Sequence, residues 1–187
     1  MKNIILASNS KARLKLLKDN GFNVQVKATN IEEISDEKEP GKLVEDLANQ
    51  KLQACLSTLD KPINSIVLAA DTMLFYKNEL IGKAKDKKEA YQTLKKLSNN
   101  QHQIYSSYAI YLPDNTLKSG YESVDVYFKN LSDLTIMHYL DNNEWIGAAG
   151  SYRIQGEGRS LVKQINGDFN VAVGLPLMSI SDLIKLT

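Results

Sequence analysis

Apolar residues recur along this chain with two different periods, and the switches between them mark out the predicted elements. Ile4-Ile-Leu-Ala7 is a short apolar run ending in Ser8-Asn-Ser10, the pattern of a strand feeding a helix start. Ser10 is an N-cap residue type, Leu14, Leu16 and Leu17 give the helix an apolar face, and Asn20-Gly21 supplies a left-handed stop. Phe22 to Ala28 alternates and predicts a second strand. The acidic stretch from Asn30 to Gly41 has no strong period and reads as a loop. Leu43, Leu47, Leu52 and Leu56 then predict a long helix reaching Leu59, with Pro62 in the connection after it.

Ile66 to Ala70 is continuously apolar, which suits a central strand. Met73 to Tyr76 and Glu79 to Ile81, on either side of Lys77-Asn78, predict a hairpin. Lys87 to Leu97 reads as a helix with Ala90, Leu94 and Leu97 inward. Ile104 to Leu112 and Tyr121 to Phe128, separated by Pro113-Asp-Asn115, predict a long antiparallel hairpin. Ser132 can cap a helix through Leu140, a glycine-rich tract from Gly147 to Gly158 precedes a strand over Leu161 to Ile165, and Gly174-Leu-Pro176 opens a terminal helix. The mixture of βα units with a long hairpin predicts an α/β protein with a mixed sheet flanked by helices. With 187 residues and no repeat or low-complexity linker, the chain fits a single domain over 1–187, or two small lobes sharing one core.

Composition changes this picture only by exclusion. Hydrophobic residues make up 43% and charged residues 24%, an ordinary balance for a soluble globular protein. A net charge of +1 provides no bulk field towards nucleic acid or membrane, so an anionic ligand must be held by local basic groups. The single cysteine, Cys55, excludes an internal disulfide and a cysteine-based zinc site, and its helical setting predicts a small buried apolar role. A reducing compartment fits. The N-terminal apolar run is too short for a signal peptide and no segment approaches membrane-spanning length, so the expectation is a soluble, cytoplasmic protein.

Three stretches carry candidate chemistry. Ser8-Asn-Ser-Lys-Ala-Arg13 runs from a strand into a helix N-terminus, where free N–H groups, the helix dipole, two hydroxyls and an arginine suit a phosphate chain. The same residues also read as an N-cap and a solvated basic helix; they lack the glycines of a P-loop or dinucleotide motif. Asp71 follows the apolar strand, at the end where open α/β sheets place ligands. A buried carboxylate is costly unless paired, hydrogen-bonded or metal-bound. There it can orient or deprotonate water, or ligate a hard divalent cation, or it is simply a turn residue. Lys83 after Gly82 offers a point charge for phosphate or is a surface lysine, and Glu32 and Glu33 offer further oxygens or belong to a solvated charged loop. In Gly150-Ser-Tyr-Arg-Ile-Gln-Gly-Glu-Gly-Arg159, glycines let backbone approach a flat ligand and Gln155 can both donate to and accept from a base edge, although the tract also reads as an ordinary flexible loop. His102 and His138 have no metal spacing, and His138 reads as structural within its helix.

Taken together, five blocks resemble the Maf family of nucleoside triphosphate pyrophosphatases, in order and over nearly the whole chain. Leu6-Ala-Ser-Asn-Ser10 with Arg13 resembles L-A-S-x-S-P-R-R; Ala70-Asp-Thr72 and Gly82-Lys83 resemble A-D-T and G-K-P; Leu97-Ser98 with His102 resembles L-S-G-x-x-H. Ala149-Gly-Ser-Tyr-Arg-Ile-Gln-Gly156 resembles A-G-x-Y-G-I-Q-G, and Ile165-Asn-Gly-Asp168 with Val173-Gly-Leu-Pro-Leu177 resembles I-x-G-x-Y with V-G-L-P.

The resemblance implies hydrolysis between the α- and β-phosphates to monophosphate and pyrophosphate, with Mg²⁺ or Mn²⁺. It also implies an elongated, two-lobed α/β architecture with a central cleft, related to inosine triphosphatases, and it favours a homodimer. On the matching positions, Asp71 would activate water, Glu33 and Asp71 would hold the metal, and Lys51 and Lys83 would neutralise phosphate charge. Ser8, Ser10 and Arg13 would hold the phosphate chain. Positions 12, 72 and 155 are tied to base choice: Thr72 and Gln155 match the subgroup favouring dTTP and UTP, whereas Ala12 stands where that family has arginine. Lys11, Ala84, Asn99 and Gly147-Ala148 are further departures. The expected substrates are dTTP and UTP or modified nucleotides cleared by a house-cleaning enzyme. The competing expectation is a non-catalytic nucleotide-binding regulator of septum formation. Near-zero net charge and the lack of a basic stripe disfavour a nucleic-acid-binding module.

Overall fold

The computed structural model describes residues 2–60 and 62–185. Along the chain it contains β1 (Asn3–Leu6), α1 (Lys11–Asp19), β2 (Asn23–Val26), α2 (Pro40–Leu56), β3 (Ile66–Ala69), β4 (Thr72–Tyr76), β5 (Glu79–Ile81) and α3 (Lys87–Leu97). There follow β6 (Gln101–Tyr111), β7 (Leu117–Phe128), α4 (Asp133–Leu140), a 3-10 turn (Glu157–Leu161), β8 (Val162–Asn166), α5 (Phe169–Val173) and α6 (Leu177–Lys185). The sheet is mixed, as the alternation of βα units and hairpins predicts. β1 pairs in parallel with β2 and β3, whereas β3–β6, β4–β5 and β7–β8 are antiparallel. β7 also pairs with β6, across the short connection after Tyr111.

The chain divides into two compact units. Met1–Thr72, Ser106–Glu122 and Gly174–Thr187 form the first, and Met73–Tyr105 with Ser123–Val173 the second. In the first, β3 explains its own sequence. Ile66, Leu68 and Ala70 point to one layer, with Leu17 of α1 and Leu175, Leu177 and Ile180 at the chain's other end. Val67 and Ala69 point to the opposite layer, with Ala48, Leu52 and Cys55 of α2. A strand covered on both faces has no polar side, hence the unbroken apolar run. Cys55 is buried as expected.

In the second unit, Leu94 and Leu97 of α3, Ile104, Val126, Phe128, Ile136, Leu140 and Leu161 build one core. Trp145 is buried in it and donates Nε1–H to the Leu140 carbonyl at 3.1 Å. His102 lies within the same core, its Nε2 2.7 Å from the Tyr152 hydroxyl and its ring edge-on to Phe128. His138, by contrast, is exposed on α4.

Several boundaries differ from the pattern reading. α2 begins at Pro40, because Glu39 caps it by accepting from the N–H groups of Gly41 and Lys42, and it ends at Leu56 rather than Leu59. β7 begins at Leu117, four residues before the alternation becomes apolar. The small Gly120 there lies under the Tyr108 ring of β6, where a Cβ would come 2.9 Å from its hydroxyl. α5 went unpredicted. Its start is set locally by Asp168, whose Oδ1 accepts from the Asn170 N–H at 2.9 Å.

Candidate active site

Strand parity at the end of β3 sorts the candidate residues into two groups. Side chains alternate faces along a strand, so Asp71 continues the row of Val67 and Ala69 towards α2, while Thr72 continues the row of Leu68 and Ala70 towards α1. The hydrogen bonds follow that division.

On the α2 side, Lys51 lies one residue before the buried Leu52 and two turns after the buried Val44, on the inward helix face. Its Nζ is 2.5 Å from Asp71 Oδ1 and 3.0 Å from Glu33 Oε2. One ammonium thus joins a carboxylate from the sheet to a carboxylate from the acidic loop. The burial is graded: side-chain exposure is 10% for Asp71, 15% for Lys51 and 41% for Glu33. The second Asp71 oxygen, Oδ2, is buried and has no hydrogen-bond partner among the described residues. A buried carboxylate oxygen left unpaired costs free energy, so this atom is a natural point of attachment for a cation or a water proton.

The supports of this cluster were not legible beforehand. Asp71 is clamped at its backbone by Ser107 of β6: Ser107 N–H donates to the Asp71 carbonyl at 2.9 Å, and Asp71 N–H donates to Ser107 Oγ at 3.3 Å. The same hydroxyl donates to the Val44 carbonyl at 2.6 Å, which ties the aspartate to the helix that carries Lys51. Gln50 donates to the Ile34 carbonyl at 2.7 Å and so fastens the loop beside Glu33 to α2. The available signal was Ser106-Ser107, two adjacent buried serines that break the alternation of β6.

On the α1 side, Arg13 is one turn before the buried Leu17. Its Nε–H donates to the Gly174 carbonyl at 2.9 Å, Nη1 to Ser8 Oγ at 3.1 Å and to the Ala70 carbonyl at 2.9 Å, and Nη2 to Thr72 Oγ1 at 2.9 Å. The guanidinium therefore ties the β1–α1 connection, the end of β3 and the turn before α6 together. Burial lowers its pKa, and the nearby charges of Asp71 and Glu33 work in the opposite direction. Thr72 is equally committed: its hydroxyl also lies 2.9 Å from Ser106 Oγ and 3.3 Å from the Gly174 carbonyl. Ser10 caps α1, Oγ accepting from Arg13 N–H at 3.3 Å, as its residue type predicts. Ser8 Oγ accepts from Ser10 N–H and from Arg13, which leaves its own proton to donate. Ala12 sits half-buried in the first turn of α1, a turn without acidic residues.

In the second unit, Lys83 is exposed and forms an antiparallel bridge with Ala149, and the Gly150 N–H donates to the Gly82 carbonyl at 3.1 Å. Two sequence blocks more than sixty positions apart are thereby adjacent. Gln155 is exposed on the turn that follows. Glu32 is exposed, and of the two loop acids Glu33 is the one that meets Lys51.

A hard divalent cation needs oxygen ligands, and Mg²⁺ commonly takes only one or two carboxylates from protein, completing its shell with water and substrate phosphate. Among the described residues no cluster of three or more His, Cys, Asp or Glu could hold a metal. Glu33 and Asp71, with the unpaired Oδ2, are the residues that could contribute carboxylates to a site of that kind.

An α/β fold with carboxylates and cationic donors gathered at strand ends and a helix N-terminus defines a site suited to a phosphorylated ligand. The chain belongs to the Maf family: the profile of Maf-like proteins matches residues 3–187. It is 39% identical over 183 residues to the dTTP/UTP pyrophosphatase of Caldanaerobacter subterraneus subsp. tengcongensis, covering 97% of this chain and 87% of that one. It is 40% identical over 183 residues to the dTTP/UTP pyrophosphatase of Fusobacterium nucleatum subsp. nucleatum, covering 97% and 94%. Among solved structures, a HAM1 protein from Coxiella burnetii shares the fold, with a TM-score of 0.52 and 13% identity over all of both chains. Among the described residues no helix is long and apolar enough to cross a membrane.

Proposed function

We propose that this protein hydrolyses dTTP and UTP between the α- and β-phosphates, releasing the nucleoside monophosphate and pyrophosphate. The observation that carries the chemistry is Asp71: a buried carboxylate at a strand end, held on one oxygen by Lys51 and unpaired on the other. That free Oδ2 can accept a proton from an attacking water while Oδ1 stays fixed. The names of the 35–40% identical relatives support the substrate choice.

Ser8, Ser10 and the N-terminus of α1 receive the phosphate chain in this reading, with Arg13 adding a fixed positive charge and holding Ser8 in place. In the free protein Lys51 is the cation at the carboxylates. The family motif adds Lys83 as a second phosphate partner, and Gln155, with positions 12 and 72, as determinants of the base. A divalent cation held by Glu33 and Asp71 would offset charge on the phosphates. A cytoplasmic location belongs to the same proposal and suits a chain whose one cysteine is free and buried.

The test is a panel of ordinary, deoxy, methylated and deaminated nucleoside triphosphates with Mg²⁺ or Mn²⁺. The expected ranking puts dTTP and UTP first. A preference for a purine or a modified base would overturn the substrate assignment, and nucleotide binding without turnover across the panel would favour a regulatory protein.

A further inference from the structure

Resting on the reading of Glu33 and Asp71 as a cation site, we propose that Lys51 is a built-in competitor of that cation. In the free protein its ammonium occupies the place between the two carboxylates, and binding of the divalent ion releases it to the incoming phosphate chain. The ammonium touches both carboxylates, at 2.5 and 3.0 Å, and its side chain is only 15% exposed. The buried Asp71 carboxylate and the more exposed Glu33 carboxylate repel each other, and a buried charge without a partner is strongly destabilising, so the pair favours a resident cation when the metal is absent. Lys51 fills that need incompletely: one ammonium against two carboxylates leaves a net charge of −1, and Asp71 Oδ2 remains unpaired with the residue 7% exposed.

A divalent ion taking the ammonium's place on Asp71 Oδ1 and Glu33 brings these two carboxylates to neutrality and leaves Oδ2 as the proton acceptor. The two cations cannot share the position, because like charges at that spacing repel. Lysine is suited to such an exchange, being a compact charge on a flexible four-carbon stem. Once displaced it needs a new counter-ion, which the triphosphate supplies. The bound nucleotide thus removes the competitor, and the ion and the nucleotide bind with positive coupling, each tightening the other by the same factor.

Mn²⁺ binding measured by electron paramagnetic resonance, without turnover, tests this. Wild type, Lys51→Met, Lys51→Gln, Lys51→Arg and Asp71→Asn are titrated at pH 8, with and without α,β-imido dTTP, and circular dichroism confirms the fold of each. Without nucleotide, the Met and Gln variants should bind Mn²⁺ on the order of tenfold more tightly than wild type, the scale of one lost ion-pair competitor. The Arg variant should bind as weakly as wild type. The tightening that the nucleotide causes in wild type should shrink in the Met and Gln variants. Equal or weaker Mn²⁺ binding by both neutral variants overturns the competition while leaving the carboxylate site intact. Unchanged binding in Asp71→Asn overturns the cation site itself, and the competition with it.

Discussion

Lys51 Nζ lies 2.5 Å from Asp71 Oδ1, joining the middle of α2 to the end of β3 across twenty positions of sequence. The bond fixes one carboxylate oxygen and leaves the other, buried and unpartnered, as the acceptor. Replacing Asp71 by Asn retains an oxygen for Lys51 but removes the acceptor. Turnover should fall by about 10²–10⁴, the usual contribution of a general base, with the thermal midpoint little changed. Unaltered steady-state turnover in a folded Asp71→Asn protein would assign proton transfer elsewhere.

Arg13 is expected to matter first for stability. Lysine at this position keeps the charge but cannot reach the Gly174 and Ala70 carbonyls, Ser8 and Thr72 at once. Arg13→Lys should cost about 2–4 kcal/mol in urea unfolding, from several lost charge-assisted hydrogen bonds. A loss under about 0.5 kcal/mol would show that the fork is not the tie it resembles.

Gly174 occupies φ +121°, a conformation open to glycine, and a Cβ there would lie 3.2 Å from Thr72 Oγ1 and 3.6 Å from Arg13 Nε. Gly174→Ala should therefore destabilise the protein by about 1–3 kcal/mol through backbone strain and pressure on the same network. Combined with Arg13→Lys it should be less than additive, since both disturb one set of hydrogen bonds. Full additivity in a double-mutant cycle would separate the two.

His102 predicts a pH dependence. Burial lowers its pKa from 6.5 to about 4, so between these values the unfolded chain binds a proton that the folded chain does not. Stability is complete above pH 6.5 and declines as pH falls towards 4, by about 2 kcal/mol at pH 5. Denaturant unfolding at pH 5 and pH 7.5 measures this difference, and His102→Gln should remove most of it. An unchanged pH slope in the variant would place the titration on other groups.

Much of the fold was legible because its elements carry local signals. Lys87–Leu97 was predicted to the residue by its apolar period, Ser10 and Ser132 cap as their types suggest, and Lys77-Asn78 turns the β4–β5 hairpin with both φ values positive. Asp71 stood out because an apolar strand ended on a charge. Its surroundings did not stand out, because they are long-range: Lys51 was nominated by family resemblance alone, Glu33 was first only one of two loop acids, and nothing local pairs them. Arg13 was readable as a cation, but its commitment to four protein acceptors depends on the Gly174 turn more than 150 positions away. Ser107 left only a weak mark, a small polar residue at a buried strand position.

The most direct measurement is hydrolysis of dTTP in heavy-oxygen water, with both products resolved by mass spectrometry. The expected result is monophosphate and pyrophosphate in equal amounts, with the label in the monophosphate, as attack on the α-phosphorus requires. Release of diphosphate with inorganic phosphate, or label in the pyrophosphate, would contradict the reaction assigned to Asp71.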